Sequence, residues 1–251
     1  MAHLSRAPLS QLAIVIPAYN EAKRIGATLD ELRAFLAEVA IDAALIVVDD
    51  GSTDGTTAVV RAHAPAAQVI RLTENRGKGA AVRAGMAAAT APLILCCDAD
   101  LATPITELPR FLATIARGAD IAVGSRHVRG ATIDPPQPRA RRILGAGFRT
   151  LSRLVLRLPV RDPMCGFKLF RLDAARWLFP RTRIDDYACD IEVMYLARER
   201  YEVVELPVRW RHVDGSRVRI HRASWRAARD IVRIAAHGRD RPEATAPPSG
   251  R

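Results

Sequence analysis

The chain has 251 residues, 49% of them hydrophobic and 26% charged, which suits one large globular domain and excludes a disordered or fibrous chain. Its net charge of +11 favours an anionic partner, namely nucleic acid, an anionic membrane surface or a phosphorylated substrate, although a merely solvated basic surface has the same composition. No run of 18 or more apolar residues occurs, so we expect no membrane-spanning helix.

The first half of the chain alternates short apolar runs with amphipathic stretches, a pattern typical of βα units and a mostly parallel sheet. The predicted strands are Leu12–Ile16, Ala44–Val48, Gln68–Leu72, Leu93–Cys97 and Ile121–Val123. The predicted helices between them are Glu21–Val39, Gly55–His63, Gly79–Ala89 and Ile105–Ala116. Asn20 is placed to cap the first of these helices, and Thr53 or Asp54 to cap the second.

From Gly124 onward the pattern is less regular and strongly basic. Seven arginines and no acidic residue lie between Pro135 and Arg161, and eight arginines lie between Arg209 and Arg233. The elements predicted here are a helix at Ile143–Leu158, a strand or turn at Cys165–Phe170, a helix at Cys189–Arg200, a strand at Val203–Trp210 and a helix at Ala223–Ala236. We expect one domain over residues 1–237, with halves at about 10–126 and 127–237, and a disordered polar tail at 238–251.

The cysteines show neither a CxxC pair nor the spacing of a zinc site. They are Cys96, Cys97, Cys165 and Cys189. Because no signal peptide precedes the first apolar run, we expect reduced thiols in a cytoplasmic protein.

Polar residues follow four of the five predicted strands of the first half. Ligands of open α/β sheets bind at the carboxyl ends of the strands, so these residues are candidates for a binding site. They are Pro17, Tyr19 and Glu21 after the first strand, Asp49 and Asp50 after the second, Asp98 and Asp100 after the fourth, and Ser125 and Arg126 after the fifth.

Asp98 and Asp100 lie one residue apart, so on an extended segment both carboxylates can point the same way. Oxygen ligands suit Mg²⁺ or Mn²⁺, which commonly join protein carboxylates to a substrate diphosphate. An ordinary acidic loop has the same sequence. In Asn75–Gly79, two glycines allow close backbone approach, and Lys78 with the start of the next helix is placed to meet a phosphate. Neither GxGxxG nor GxxxxGK[ST] occurs, which disfavours a nicotinamide-dependent enzyme or a P-loop NTPase.

The order of these segments resembles the family 2 glycosyltransferases over about Leu12–Arg126, and more loosely beyond. The segments are PAYNE, VVDDGSTDGT, NRGKGAAVRAG, CDAD and GSR, followed by CGFKLF at 165–170 and DIE at 190–192. Together with GSR at 215–217, the later segments resemble the branch of the family that glycosylates dolichyl or polyprenyl phosphate. The mannosyl-transferring branch usually has Gln after its acidic motif. This chain has Leu101-Ala102-Thr103-Pro104 instead, which favours a glucosyl-transferring relative.

The resemblance implies an α/β protein of the GT-A fold that transfers a hexose, with glucose from UDP-glucose favoured, and inverts the anomeric carbon. It assigns the donor to Pro17, Tyr19, Glu21, Asp50 and Asp98, and the metal, Mg²⁺ or Mn²⁺, to Asp98 and Asp100. Asp49, at the end of its strand, and Lys78, at the start of its helix, are further donor-binding candidates by their positions. Asp100, Asp190 and Arg126 are the expected catalytic residues. Asp190 is either a catalytic carboxylate, an orienting group or simply a helix cap.

The predicted helix Ile143–Leu158 combines a broad apolar face with one basic stripe, as helices lying in a membrane interface do. Arg149, Arg153 and Arg157 form the stripe because they lie four residues apart. A core helix with one basic edge fits equally well. The resemblance implies a lipid-phosphate acceptor, and the candidates for gripping its phosphate are Arg126, Arg139, Arg141 and Arg217. We therefore expect a peripheral protein on the inner, cytoplasmic face of the membrane.

Two alternative functions remain open from the sequence. Transfer to a saccharide acceptor in cell-envelope polysaccharide synthesis would require Asp190 as a base, because a hydroxyl must then be deprotonated. Nucleic-acid binding would match the basic charge, but only 5% of residues are aromatic and no recognition motif is present. The expected partners are therefore a nucleotide sugar, a lipid phosphate and a membrane surface, without nucleic acid.

Overall fold

A computed structural model describes residues 11–134, 139–211 and 229–236 of the chain. The strands in these ranges are β1 Leu12–Ala18, β2 Ala43–Asp49, β3 Gln68–Arg71, β4 Leu93–Cys96, β5 Ile121–Ser125, β6 Thr132–Asp134, β7 Lys168–Arg171, β8 Val203–Pro207 and β9 Arg209–Arg211. The helices are α1 Ile25–Glu38, α2 Thr56–His63, α3 Lys78–Ala88, α4 Leu108–Ala116, α5 Arg139–Leu156, α6 Leu172–Leu178 and α7 Cys189–Ala197. Residues 229–236 are also helical.

The main sheet has seven strands in the order β3-β2-β1-β4-β7-β5-β8, and both halves of the chain contribute to it. Its neighbours are parallel except around β7, which runs antiparallel to both β4 and β5. β6 and β9 form a separate parallel pair. The prediction of a mostly parallel α/β sheet is confirmed, and the antiparallel β7 in its centre was not predicted.

Each face of the sheet is covered by its own hydrophobic core. Alternate residues of β1 point to opposite faces, as a strand requires. Ala13 and Val15 pack into one core, while Leu12, Ile14 and Ile16 pack into the other. The burial of β1 on both faces explains its nearly continuous apolar sequence, which is typical of a central parallel strand.

The start of α1 differs from the prediction, because the helix begins at Ile25 rather than Glu21. Asn20 does not cap it. Its backbone adopts a left-handed conformation with φ of 53°, and its side-chain oxygen accepts a hydrogen bond from the Thr53 amide at 2.8 Å. The cap position of α2 is Gly55, which provides no side-chain cap, so neither Thr53 nor Asp54 is the predicted cap. Asp54, one residue earlier, accepts the Thr56 amide at 3.1 Å. Asn20 and Asp54 therefore help to join the loops that follow β1 and β2.

Other boundaries changed in the second half. The predicted strand Val203–Trp210 divides into β8 and β9, which belong to different sheets. β6 and α6 were not predicted, and the stretch predicted as helix Ile105–Ala116 opens with a 3-10 turn at Ile105–Glu107 before α4. The predicted helix Ala223–Ala236 lies within the described residues only from 229, where it is helical. All four cysteines are buried free thiols.

Among the helices of the described ranges, none is both long enough and apolar enough to cross a bilayer.

Candidate active site

The acidic pair Asp98 and Asp100 lies just beyond β4, at the carboxyl edge of the sheet. The Asp98 side chain is 41% exposed, and Asp100 accepts the Ala102 amide at 3.1 Å. Burial and the neighbouring Asp98 charge raise the pKa of Asp100. Gly166 packs so closely against the Asp98 carboxylate that any β-carbon there would overlap it. The acidic pair is therefore accessible from solvent and is positioned by backbone from the second half of the chain.

Lys78 joins this acidic pair to Asp190. Its ammonium lies 2.9 Å from Asp98 Oδ1 and 3.1 Å from Asp190 Oδ2. The second oxygen of Asp190 lies 2.6 Å from the Nζ atom of Lys168. Burial disfavours the Lys78 charge, but the Asp190 and Asp98 carboxylates outweigh burial and raise the pKa of Lys78 well above its usual value. A chain of alternating charges therefore leads from the sheet interior to the exposed Asp98, in the order Lys168, Asp190, Lys78 and Asp98.

Asp190 is nearly enclosed by these lysines. Burial alone would raise the pKa of Asp190, yet the charges and hydrogen bonds of Lys168 and Lys78 lower it overall. Asp190 lies in the first turn of α7, and the residue at the cap position is Ala188. The alternative that Asp190 caps this helix is therefore wrong, and its carboxylate is a stably ionised partner of two cations.

The glycines beside Lys78 bring the loop before α3 against the loop before α7. Gly77 has a φ of 103°, and a β-carbon there would overlap the Asp185 carbonyl. The Gly79 amide donates a hydrogen bond to that carbonyl at 2.7 Å. A β-carbon at Gly79 would overlap the Ile184 carbonyl, so glycine is needed at both positions. These contacts also fix the start of α3, and hence Lys78, relative to Asp190.

The predicted nucleoside-binding residues lie at the ends of β1 and β2. Tyr19 is 39% exposed, while the Glu21 carboxylate accepts two hydrogen bonds from Arg24, both at 2.7 Å. Asp50 is buried and accepts the Arg76 and Gly77 amides, each at 2.8 Å. Burial raises the pKa of Asp50 in spite of those hydrogen bonds. Asp50 thus holds the glycine-containing loop next to the ends of the strands.

Asp49 and Pro17 are less accessible than the sequence suggested. Asp49 is 1% exposed, and its carboxylate accepts hydrogen bonds from the Ser52 amide and the Thr57 hydroxyl. These contacts tie the end of β2 to α2. Pro17 belongs to β1 itself. Contact of either residue with a donor stays a prediction.

Arg126, at the end of β5, lies in a second charged cluster. It donates two side-chain hydrogen bonds, at 2.8 and 2.9 Å, to the fully buried Asp162. Its guanidinium carbon lies 5.6 Å from the ring centre of Trp210. Burial and the Arg149 charge lower the pKa of His127 against the opposing charge of Asp162. Two arginines and a histidine thus surround one buried carboxylate, leaving an excess of positive charge when both arginines are ionised.

The remaining predicted acceptor residues have no described side chains. Arg139 and Arg141 lie at the start of α5, of which the backbone alone is described there, and Arg217 lies outside the described residues. Their contacts with an acceptor stay predictions.

The residues present fit a divalent cation shared with an anionic substrate. Asp98 and Asp100 provide carboxylate oxygens, which Mg²⁺ and Mn²⁺ prefer. The described residues contain no cluster of three or more His, Cys, Asp or Glu side chains able to enclose a metal. Further ligands would therefore come from the substrate and water, as Mg²⁺ sites on phosphate substrates usually require.

Several residues of the site were missed in the sequence. Gly166 and Lys168 lie in the CGFKLF segment on which the family resemblance partly rests, but that segment does not indicate that their partners are Asp98 and Asp190. Asp162 pairs with Arg126, 36 residues away, and has no local signal. Tyr187 was also missed. It is 44% exposed, and its partial burial raises its pKa despite the nearby Lys78 charge. The signal that could have indicated it is its position in the acidic segment Asp185-Asp186-Tyr187, two residues before Cys189-Asp190.

Comparison with known proteins supports the family resemblance found in the sequence. The family model described as glycosyl transferase family 2 matches residues 13–179. A dolichyl-phosphate beta-glucosyltransferase from Trichomonas vaginalis is 40% identical, with 90% of this chain and 71% of that protein covered. A dolichyl-phosphate beta-glucosyltransferase from Drosophila melanogaster is 36% identical, with 92% and 76% covered.

Solved structures confirm the GT-A fold. Mannosyl-3-phosphoglycerate synthase from Rubrobacter xylanophilus superposes with a TM-score of 0.70 at 17% identity, over 96% of this chain and 79% of that one. Glucosyl-3-phosphoglycerate synthase from Mycobacterium tuberculosis, in complex with Mn²⁺, UDP-glucose and phosphoglyceric acid, gives 0.66 at 18% identity, over 94% and 81%. On the family match and the identity to these relatives, the chain belongs to glycosyl transferase family 2 and is a glycosyltransferase.

Proposed function

We propose that the chain transfers glucose from UDP-glucose to dolichyl or polyprenyl phosphate, with inversion and with dependence on a divalent metal. The names of the relatives that are 36–40% identical support the reaction. The observation that carries the choice of acceptor is the ion pairing of Asp190 through both of its oxygens.

The donor would bind where Asp98, Asp100 and Lys78 meet. Asp98 and Asp100 would hold Mg²⁺ or Mn²⁺, which supplies positive charge to the departing nucleoside diphosphate when bound. Lys78 is already 2.9 Å from Asp98, so its ammonium lies within reach of a diphosphate that approaches Asp98. Fixed positive charge at a leaving group stabilises the transition state more than the ground state, because negative charge grows there during the reaction.

The ion pairs of Asp190 favour an acceptor that is already anionic. A hydroxyl acceptor needs a general base near its working pH. Asp190 is held ionised by Lys168 and Lys78, which lower its pKa and make it a weak base. A phosphate monoester oxygen needs no such base. This argument favours a lipid phosphate over the saccharide acceptor of the alternative.

Arg126 is the described candidate for holding the acceptor phosphate. Its Nε and one terminal nitrogen are engaged by Asp162, which fixes the guanidinium plane and leaves its other terminal nitrogen for a ligand. Arg149 in α5 is half-buried near the same cluster. Arg139, Arg141 and Arg217 complete the proposed set.

A peripheral position on the inner face of the membrane completes the proposal. The last turns of α5 expose three apolar side chains: Leu151, Leu154 and Val155. Leu154 is 73% exposed, and the exposed Arg153 and Arg157 lie beside it. An exposed apolar patch flanked by arginines suits an anionic leaflet, where each arginine contributes about 1 kcal/mol.

The first experiment measures transfer from radiolabelled nucleotide sugars to polyprenyl phosphate, with and without EDTA, beside the Asp100→Asn variant. We expect label from UDP-glucose to enter the lipid phase and to be lost with EDTA and in the variant. A donor that binds without labelling lipid would overturn the acceptor assignment. If no nucleotide sugar binds, the donor assignment is wrong.

Flotation tests the membrane position separately. The wild type is expected to float with phosphatidylcholine vesicles that contain phosphatidylglycerol, and to float less with phosphatidylcholine alone. Leu154→Glu should abolish flotation, whereas Val39→Glu, at an exposed apolar position after α1, should not. Equal flotation of the two variants would argue against α5 as the contact.

A further inference from the structure

Lys168 is an unusual residue for the centre of a sheet. It lies in β7, between β4 and β5, where it pairs with Cys96 on one side and Val123 on the other. Only 2% of its surface is exposed. An ammonium group in such a place must be paired and hydrogen-bonded, because desolvating an unpaired charge is very unfavourable.

Lys168 is both hydrogen-bonded and ion-paired, but a buried ion pair is weak evidence of a stabilising role. Its Nζ atom donates to the Cys165 carbonyl at 2.5 Å and to Asp190 Oδ1 at 2.6 Å. Apolar residues of similar size usually stabilise a fold as well as a buried ion pair does. The core around this lysine contains apolar and thiol side chains such as Cys96, Cys189 and Phe170. Stability alone therefore does not explain a lysine at this position.

The contacts of Lys168 lead directly to the donor site. Asp190 uses its other oxygen to bind Lys78 at 3.1 Å, and Lys78 binds Asp98 at 2.9 Å. The same short segment, residues 165–168, also presents Gly166 against the Asp98 carboxylate. Lys168 is thus linked to the exposed Asp98 carboxylate through three successive ion pairs, and Gly166 packs directly against it.

We propose that Lys168 is a positioning residue for the leaving group: it fixes Asp190, and Asp190 in turn aims the Lys78 ammonium at the diphosphate. The proposal rests on the proposed function, in which a nucleoside diphosphate departs at Asp98. Without Lys168, Asp190 retains Lys78 as its described cationic partner, and Lys78 is drawn toward Asp190 and away from the diphosphate. Lys168 touches neither substrate, so its effect passes through the two intervening residues.

The experiment compares binding of UDP and UMP, each with Mg²⁺, by calorimetry, since UDP carries the additional phosphate. Lys168→Met is expected to weaken UDP binding about tenfold and to change UMP binding less than twofold. With UDP-glucose, kcat should fall ten- to a hundredfold while KM changes less than threefold, because the leaving group carries more negative charge in the transition state than in bound UDP-glucose. Lys168→Arg should recover part of the UDP affinity.

A double-mutant cycle tests the route through Asp190. If Lys168 acts through Asp190, then Lys168→Met in the Asp190→Asn background should weaken UDP binding by less than a further twofold. Full additivity of the two changes would overturn the proposal, as would UDP binding by Lys168→Met equal to that of the wild type. Lys168→Gln, which keeps a hydrogen-bonding group, serves if Lys168→Met does not fold, and it should show the same selective loss of UDP affinity.

Arg171→Met is the matched control, because it removes another cation from β7. Arg171 donates to the Ala119 and Ile115 carbonyls on the far side of the strand, so its loss should leave the ratio of UDP to UMP affinity unchanged. A failure of the proposed function would be visible in the wild type, as absence of UDP binding or of transfer. The Lys168 proposal fails on its own if the wild type binds UDP and either Lys168→Met binds it equally well or the double-mutant cycle is fully additive.

Discussion

The Asp162→Asn substitution is expected to destabilise the protein by about 2 kcal/mol at pH 7. Asp162 is fully buried and accepts two hydrogen bonds from the Arg126 guanidinium and one from its amide. Burial opposes ionisation, but Arg126 outweighs it and lowers the pKa of Asp162 from 3.8 to about 2. One pKa unit corresponds to about 1.4 kcal/mol, which gives the expected loss.

The pH dependence of this effect has a definite sign. Because the folded-state pKa of Asp162 lies below its unfolded value, the stabilisation is fully present above about pH 4 and is lost as the pH falls toward 2. The gap in unfolding free energy between wild type and variant should therefore shrink from about 2 kcal/mol at pH 7 to about half that at pH 3.

Urea unfolding followed by circular dichroism at both pH values measures this gap. The matched control is Glu199→Gln, which removes one partner of an ion pair with Arg198 at a side chain that is 78% exposed. The control should change the unfolding free energy by less than about 0.5 kcal/mol. An equally small change in Asp162→Asn, or a gap that stays constant between pH 7 and pH 3, would refute the argument that Arg126 stabilises an ionised Asp162.

Three further outcomes follow from the described contacts. Gly166→Ala should abolish transfer and weaken Mg²⁺-dependent UDP binding, since the new methyl group would displace Asp98; Gly147→Ala, which has open space around it, is its control in the same assays. Phe111→Ala should lower the unfolding free energy by about 3–5 kcal/mol in urea titrations. Phe111 is fully buried and packs edge-on against Phe167, with the two ring centres 4.9 Å apart. Thiol reagents should not label the folded protein at pH 8, because all four cysteines are buried and burial raises the pKa of Cys96 to about 12; in urea all four should react, and rapid labelling of the folded protein would contradict the buried arrangement.

The parallel half of the fold was predictable because its signals are local. β1, β2 and β4 are short apolar runs followed by polar residues, and strands buried on both faces of a parallel sheet typically have such nearly continuous apolar sequences. The position of Asp98 and Asp100 at the carboxyl edge followed from the same pattern. These predictions needed information from only a few consecutive residues.

The charged pairings were not predictable for the opposite reason. Arg126 and Asp162 are separated by 36 residues, and Lys78 and Asp190 by 112. Other charged residues lie beside each of them in the sequence, and periodicity contains no information about which distant residue is the partner. The antiparallel direction of β7 was equally invisible, since Lys168–Arg171 is only four residues long. Asn20 was misassigned because a residue suited to capping is also suited to a left-handed turn.

The insertion of β7 between β4 and β5 has a consequence for how the chain is made. Leu93 of β4 pairs with Arg171 of β7, which lies 78 positions later in the chain. A nascent chain that ends near 126 therefore lacks β7, the strand that pairs with both β4 and β5. Such a fragment would present unpaired edges on both β4 and β5, which favours aggregation. Contacts between residues so far apart also slow folding. The first half of the chain, residues 11–126, is therefore not a separable module, and cutting the gene near 126 is expected to give two insoluble products.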